Sequence, residues 1–223
     1  MAQEREATDL AAMQAGYLDS LYYSATGADR NFINGTVYLD PHTGARGHPF
    51  FLDGNWTSGS LVMDGRSYGQ HSLKYDIYSG QLIYNFILES GPCALVLNKT
   101  GIDNFTLDGH TFRRLNMIPG VVTPADAGYF EVITDGMAGF YIKWEKRYKQ
   151  PTAQSPGEFV THKDRYILNR GSFYRVNRRW GLLRALGDRK KEIRAYIRER
   201  RLVIAPGHEE AVKEIVDYYN TLQ

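Results

Sequence analysis

Four residues of metal-ligating type, Asp40, His42, His48 and Asp53, fall within fourteen positions. Imidazole and carboxylate together suit a borderline divalent ion. Their spacing matches no closed zinc pattern, and Pro41, Gly44, Gly47 and Pro49 between them mark a loop. The expectation is a solvated structural loop with no metal and no cofactor. His71, His110, His162 and His208 are scattered singly and read as surface residues.

Charge is the strongest asymmetry. Residues 163–201 carry fourteen Lys and Arg against four acids, a net charge of +10, while the remaining positions sum to −8. A basic patch of this kind suits an acidic partner, an anionic surface or nucleic acid. Arg189, Lys190, Lys191, Arg194 and Arg198 are the densest part and form the candidate binding site. The total of +2 and the lack of any reading motif argue against nucleic acid. Glu192 and Glu199 among the arginines also fit an ordinary solvated helix face.

Covalent chemistry has no local signature. No nucleophile elbow is present, and Gly136 to Gly139 lie between two strands rather than before a helix, so they form a turn and not a phosphate cradle. Cys93 stands in the apolar run Cys93-Ala94-Leu95-Val96-Leu97 and reads as a small buried hydrophobe. The chain is therefore expected not to be an enzyme. Trp56, Trp144, Trp180 and many of the 16 tyrosines could stack on a ligand, but in a β protein most of them fill cross-strand pairs and the core.

The elements that position these residues follow from alternation and turn chemistry. Strand signals recur from residue 36 to residue 176. They begin with Val37-Tyr38-Leu39, Phe50-Phe51-Leu52 and Leu61-Val62-Met63 and continue over 72–77, 82–88, 94–97, 105–107, 111–115, 129–134, 138–148, 159–162, 165–168 and 172–176. Asp64-Gly65, Asp108-Gly109 and Asp135-Gly136 are hairpin turns, as is Asn169-Arg170-Gly171. Residues 149–157 form an exposed loop. About ten to twelve antiparallel strands without an intervening helix predict a mainly β sandwich or open barrel.

The ends differ from this middle. Residues 1–34 read as an N-terminal arm with a short helix, and residues 35–177 as the β domain. Residues 178–223 read as a helical cap packed on it: a short helix over 180–186 closed by Gly187, a second started by Asp188 with Ile193, Tyr196 and Ile197 on one face, and a third after Pro206-Gly207 with Val212, Ile215, Val216, Tyr219 and Leu222 as its apolar stripe. No apolar run approaches the roughly 20 residues of a membrane-spanning helix. Met1-Ala2-Gln3-Glu4 resembles a mature exported chain with a leader removed, which predicts a periplasmic or extracellular location.

The run from Phe51-Leu52 through Trp56, Gly59-Ser60-Leu61, Gly65, Tyr68 and Leu73-Lys74-Tyr75-Asp76 is followed by residues 105–112 and Gly128-Tyr129-Phe130-Glu131-Val132, and the chain ends near Tyr218-Tyr219-Asn220. Over residues 35–223 this pattern resembles uncharacterised secreted β-rich proteins of the Bacteroidota. The resemblance implies a cell-envelope location and no activity. The leading expectation is thus a non-catalytic structural or interaction protein that binds another envelope component, a protein or an anionic surface. A carrier of a lipophilic ligand in an open barrel is the alternative, and a hydrolase with a dispersed site stands third.

Overall fold

The computed structural model describes residues 36–88, 91–115 and 128–222. The N-terminal arm expected over residues 1–34 lies outside the described residues. Eleven strands form one antiparallel sheet: β1 (Thr36–Val37), β2 (Thr57–Met63), β3 (Arg66–Asp76), β4 (Gln81–Leu88), β5 (Gly91–Val96), β6 (Ile102–Leu107), β7 (His110–Arg113), β8 (Phe130–Thr134), β9 (Ala138–Lys149), β10 (Glu158–Asn169) and β11 (Ser172–Arg175). Their order is β1-β5-β4-β3-β2-β6-β7-β8-β9-β10-β11, and the sheet is open. Three helices follow: α1 (Arg179–Ala185), α2 (Lys190–Glu199) and α3 (Glu209–Thr221). None of the described helices is long and apolar enough to cross a membrane.

Turn chemistry sets the register. Asp64-Gly65, Asp108-Gly109 and Arg170-Gly171 each place two successive residues at positive φ, the requirement of the tight hairpin turn that matches strand twist. Met63 therefore faces Arg66, Leu107 faces His110 and Asn169 faces Ser172.

One face can be followed across the sheet by its pairings. Leu61 opposes Phe105, Phe105 opposes Phe112, Phe112 opposes Glu131, Glu131 opposes Ile142, and Ile142 opposes Arg165. Residues paired across strands point to the same side, so this face runs from an aromatic core to buried charge. Its β2–β7 half packs Leu61, Leu73, Tyr75, Phe105 and Phe112 with Tyr129 and Phe51. Its β9–β10 half packs Phe140, Ile142 and Ile167 beneath Leu182, Ile193, Ile197, Val212, Ile215 and Val216 of the helices. On the reverse face Phe130 and Tyr141 make a smaller cluster with Tyr166 and Phe173.

The sheet curls so far that the end of β3 meets β9, where the Lys146 amide donates to the Ile77 carbonyl at 3.1 Å. Residues 46–51 strap this approach. The Arg46 amide donates to Gly157 O at 2.7 Å, the Phe159 amide to Arg46 O at 3.0 Å, and the Phe51 amide to Tyr75 O at 2.8 Å. Phe51 then plugs the curl, with its ring 5.1 Å from Phe112 and 5.0 Å from Trp144.

Three expectations change. Phe50-Phe51-Leu52 is not a strand but the end of the strap, bridged to the sheet only at Phe50 opposite Asp76. β1 stops at Val37, two residues before the expected end. Asp188 does not cap α2. It sits in the single 3-10 turn Gly187–Arg189, and its carboxylate accepts hydrogen bonds from Tyr219 and Arg170 instead.

Candidate functional site

The helical cap is pinned to the sheet by polar bonds along the whole of α3. At its first turn Glu209 meets the Arg165 guanidinium, with Nε at 2.9 Å and Nη2 at 2.7 Å. Further along, Thr134 Oγ1 donates to Asp217 at 2.9 Å. Asn220 closes both backbone groups of Ala138, accepting from its amide at 2.9 Å and donating to its carbonyl at 3.0 Å. The Tyr219 hydroxyl, raised in pKa chiefly by burial, bonds Asp188 at 3.0 Å and accepts from Asn169 at 3.1 Å.

α2 is in turn pinned to α3. Tyr196 stacks on Tyr218 with ring centroids 3.9 Å apart, and the Tyr196 hydroxyl and Arg200 Nε both donate to Glu214, at 3.0 and 2.9 Å. Ile193 and Ile197 are buried against the core. With these two faces engaged, the orientation of the rest of the helix is fixed.

At about 100° of rotation per residue, Lys190, Lys191, Arg194 and Arg198 fall within an arc of about 100° beside the buried stripe. All four are exposed. None is in an ion pair among the described residues, and no acid shares the arc; Glu192 and Glu199 lie on the far side of the helix. The structure separates Arg189 from the group. It is half-buried on the opposite side and stands 3.6 Å from Glu192. Four of the five candidate residues are thus brought together.

The loop residues of ligand type do not converge, and among the described residues no group of three or more His, Cys, Asp or Glu could hold a metal ion. His42 is 3.9 Å from Asp40, but its ring is packed among Tyr78, Tyr148 and Phe159, at 5.2, 4.2 and 5.2 Å. His48 Nδ1 accepts from the Phe50 amide, and Asp53 accepts from Asn55. Burial is the main reason the His48 imidazole is harder to protonate than usual.

One histidine is a correction. His110 is not a surface bystander: its Nδ1 lies 2.5 Å from Glu131 Oε1, while Trp144 Nε1 donates to Glu131 Oε2 at 2.5 Å. Glu131 is only 5% exposed, so both oxygens of a buried carboxylate are satisfied by the aromatic groups on the flanking strands. A carboxylate on Nδ1 is the arrangement that orients an imidazole as a base. Among the described residues no hydroxyl or thiol is hydrogen-bonded to His110, and the ring edge abuts Phe51 at 5.1 Å.

The space beneath the helices is occupied by side chains. Leu182, Ile193, Ile215, Val216 and Tyr219 are all fully buried there, at 0% exposure, which leaves this part of the sheet packed rather than hollow. Cys93 is buried, as its apolar setting predicts, and burial raises its pKa. Compared with known protein families, curated proteins and solved structures, the chain matches none.

Proposed function

We propose that this is a non-catalytic binding protein of the cell envelope, exported to the periplasm or cell exterior, whose partner presents anionic groups to the outer face of α2. The observation that carries the reading is the exposed arc of Lys190, Lys191, Arg194 and Arg198 on a helix whose other faces are tied to α3 and the core. Cations without an ion-pair partner among the described residues, on a rigid support, are available to an external anion without first breaking a bond. Near an anionic leaflet each is worth about 1 kcal/mol. The apolar face of α2 is already spent on the core, so the helix can lie on such a surface but not insert into it.

Affinity purification from the native envelope, with mass spectrometry of both protein and lipid, tests this reading. The unmodified protein should retain a specific anionic component, and the Lys190→Glu/Arg194→Glu double variant should lose it. Identical recoveries from the two proteins would remove the basis for the proposal.

A further inference from the structure

A second basic feature lies away from the outer face of α2. The cleft between β10 and the helical cap has a volume of about 640 Å³ and is lined by residues 161–163, Arg165, Asn177, Arg178 and the connector residues 204–206, with His162 among them. Volumes of roughly 300–1,000 Å³ are usual for small-molecule sites. Arg165 forms its floor and is 5% exposed. Lys163 and Arg178 stand exposed on its rim, with the Lys163 ammonium held 4.0 Å over the Trp144 ring.

The charges in the cleft do not balance. Glu209 neutralises Arg165 through one oxygen, Oε1. The nearest other acid on β10, Asp164, is engaged by Arg175. Neither Lys163 nor Arg178 has an ion-pair partner among the described residues, and neither Asn177 nor Thr161 has a side-chain hydrogen bond. The opposite wall is of another kind. Ile204, Ala205 and Pro206, whose side chains carry no polar group, present aliphatic surface there.

We infer that this cleft is a binding site for a small organic anion, whose acid group sits between Lys163 and Arg178 above the Arg165–Glu209 pair and whose apolar body lies along Ile204, Ala205 and Pro206. Two cations with no ion-pair partner among the described residues, beside a neutralised ion pair, suit one acidic group. The floor guanidinium, held in place by Glu209, adds a fixed positive edge without needing to move. The aliphatic wall makes affinity depend on the length of the hydrocarbon part. The Arg165–Glu209 contact also makes the cleft sensitive to the seating of α3, because the helix supplies the carboxylate that keeps the floor oriented.

Titration calorimetry at constant ionic strength, with hexanoate and hexyl phosphate as probes and acetate and inorganic phosphate as their short counterparts, tests the site. At least one six-carbon probe should bind saturably and at least tenfold more tightly than its short counterpart, and the headgroup that succeeds identifies the acid. Lys163→Ala/Arg178→Ala, which changes only rim residues, should weaken that binding at least tenfold with an unchanged melting temperature. Lys190→Glu/Arg194→Glu should leave it intact, which separates this site from the proposed partner surface on α2. No saturable binding of either six-carbon probe, or full binding by the rim double variant, would overturn the inference.

Discussion

Arg165 on β10 directs both Nε and Nη2 at one oxygen of Glu209, the first residue of α3, so a buried guanidinium anchors the start of the last helix to the sheet. The two partners are unequally buried, at 6% and 21% side-chain exposure. The loss should be unequal too. Glu209→Ala strands a buried cation and should cost about 3 kcal/mol or more in denaturant unfolding, whereas Arg165→Met leaves a carboxylate that water reaches and should cost less. Equal losses would mean that packing rather than charge dominates the site.

The same pair sets a response to acid. Burial works against ionisation of Glu209, but the Arg165 hydrogen bond, a backbone hydrogen bond and the positive charges of Arg165 and Lys163 together outweigh it and hold the carboxyl below its usual range. Its folded pKa is therefore lower than its unfolded one. The pair contributes its full stability above the unfolded value, near 4.5, and loses it as pH falls through the folded value. A Glu209→Gln variant should show a shallower fall in stability below pH 4.5 than the parent, measured by urea unfolding across the acid range.

Lys143 sets a response with the same sign in the alkaline range. Burial, mainly, pushes its ammonium down to about 8 from an ordinary value of 10.5. The folded state thus binds fewer protons than the unfolded one between these values, and stability contributed by this group rises with pH from about 8. Lys143→Met should stabilise the protein by about 1–3 kcal/mol at pH 7, with the gain shrinking toward pH 10. A pH-independent gain would assign it to better packing.

Docking of the final helix is tested most directly at Ile215, which is fully buried. Ile215→Asp places an unpaired carboxylate among Phe140, Ile167 and Val212 and should destabilise by about 4 kcal/mol or more. Melting at the parental temperature would show that the helix is not held against the sheet.

For the cationic face of α2, binding to the anionic partner should weaken steeply as the Debye length falls from about 10 Å at 0.1 M salt to about 3 Å at 1 M. Lys190→Glu/Arg194→Glu should abolish it at low salt with little change in melting temperature, since these charges have no ion-pair partner among the described residues. Arg189→Ala, on the far side of the helix, should leave binding unchanged. Equal loss of folding and binding in the double variant would assign these cations to the fold.

Local rules made much of this molecule legible in the sequence. Asp64-Gly65 and Asp108-Gly109 announce their hairpins because positive φ at two successive positions demands those residue types. Val212, Ile215, Val216 and Tyr219 announce a docked helix because burial recurs every 3–4 residues. The Arg165–Glu209 pair could not be read in this way, since its partners lie 44 positions apart and nothing local ties them. His110 misled for the same reason: its partner is 21 residues away and enters through the register of β7 against β8. Phe50-Phe51-Leu52 has strand composition, yet its aromatic rings are needed to plug a curl that only tertiary structure creates. On α2, helical spacing alone would have separated Arg189 from Lys190, Arg194 and Arg198; composition hid that difference.

The strand order carries a consequence for how the chain assembles. From β2 to β5 and again from β6 to β11 every strand pairs with its neighbour in sequence, so two meanders can form from contacts close along the chain. Apart from the strap, the strand ladder that joins them is β2 against β6, where Leu61 meets Phe105 and Met63 meets Ile102. Before that ladder zips, each meander presents a bare edge with apolar side chains beside it. The same two edges would accept their counterparts from another copy just as well, which makes this seam the point where slow closure leads to an exchanged dimer or to aggregation.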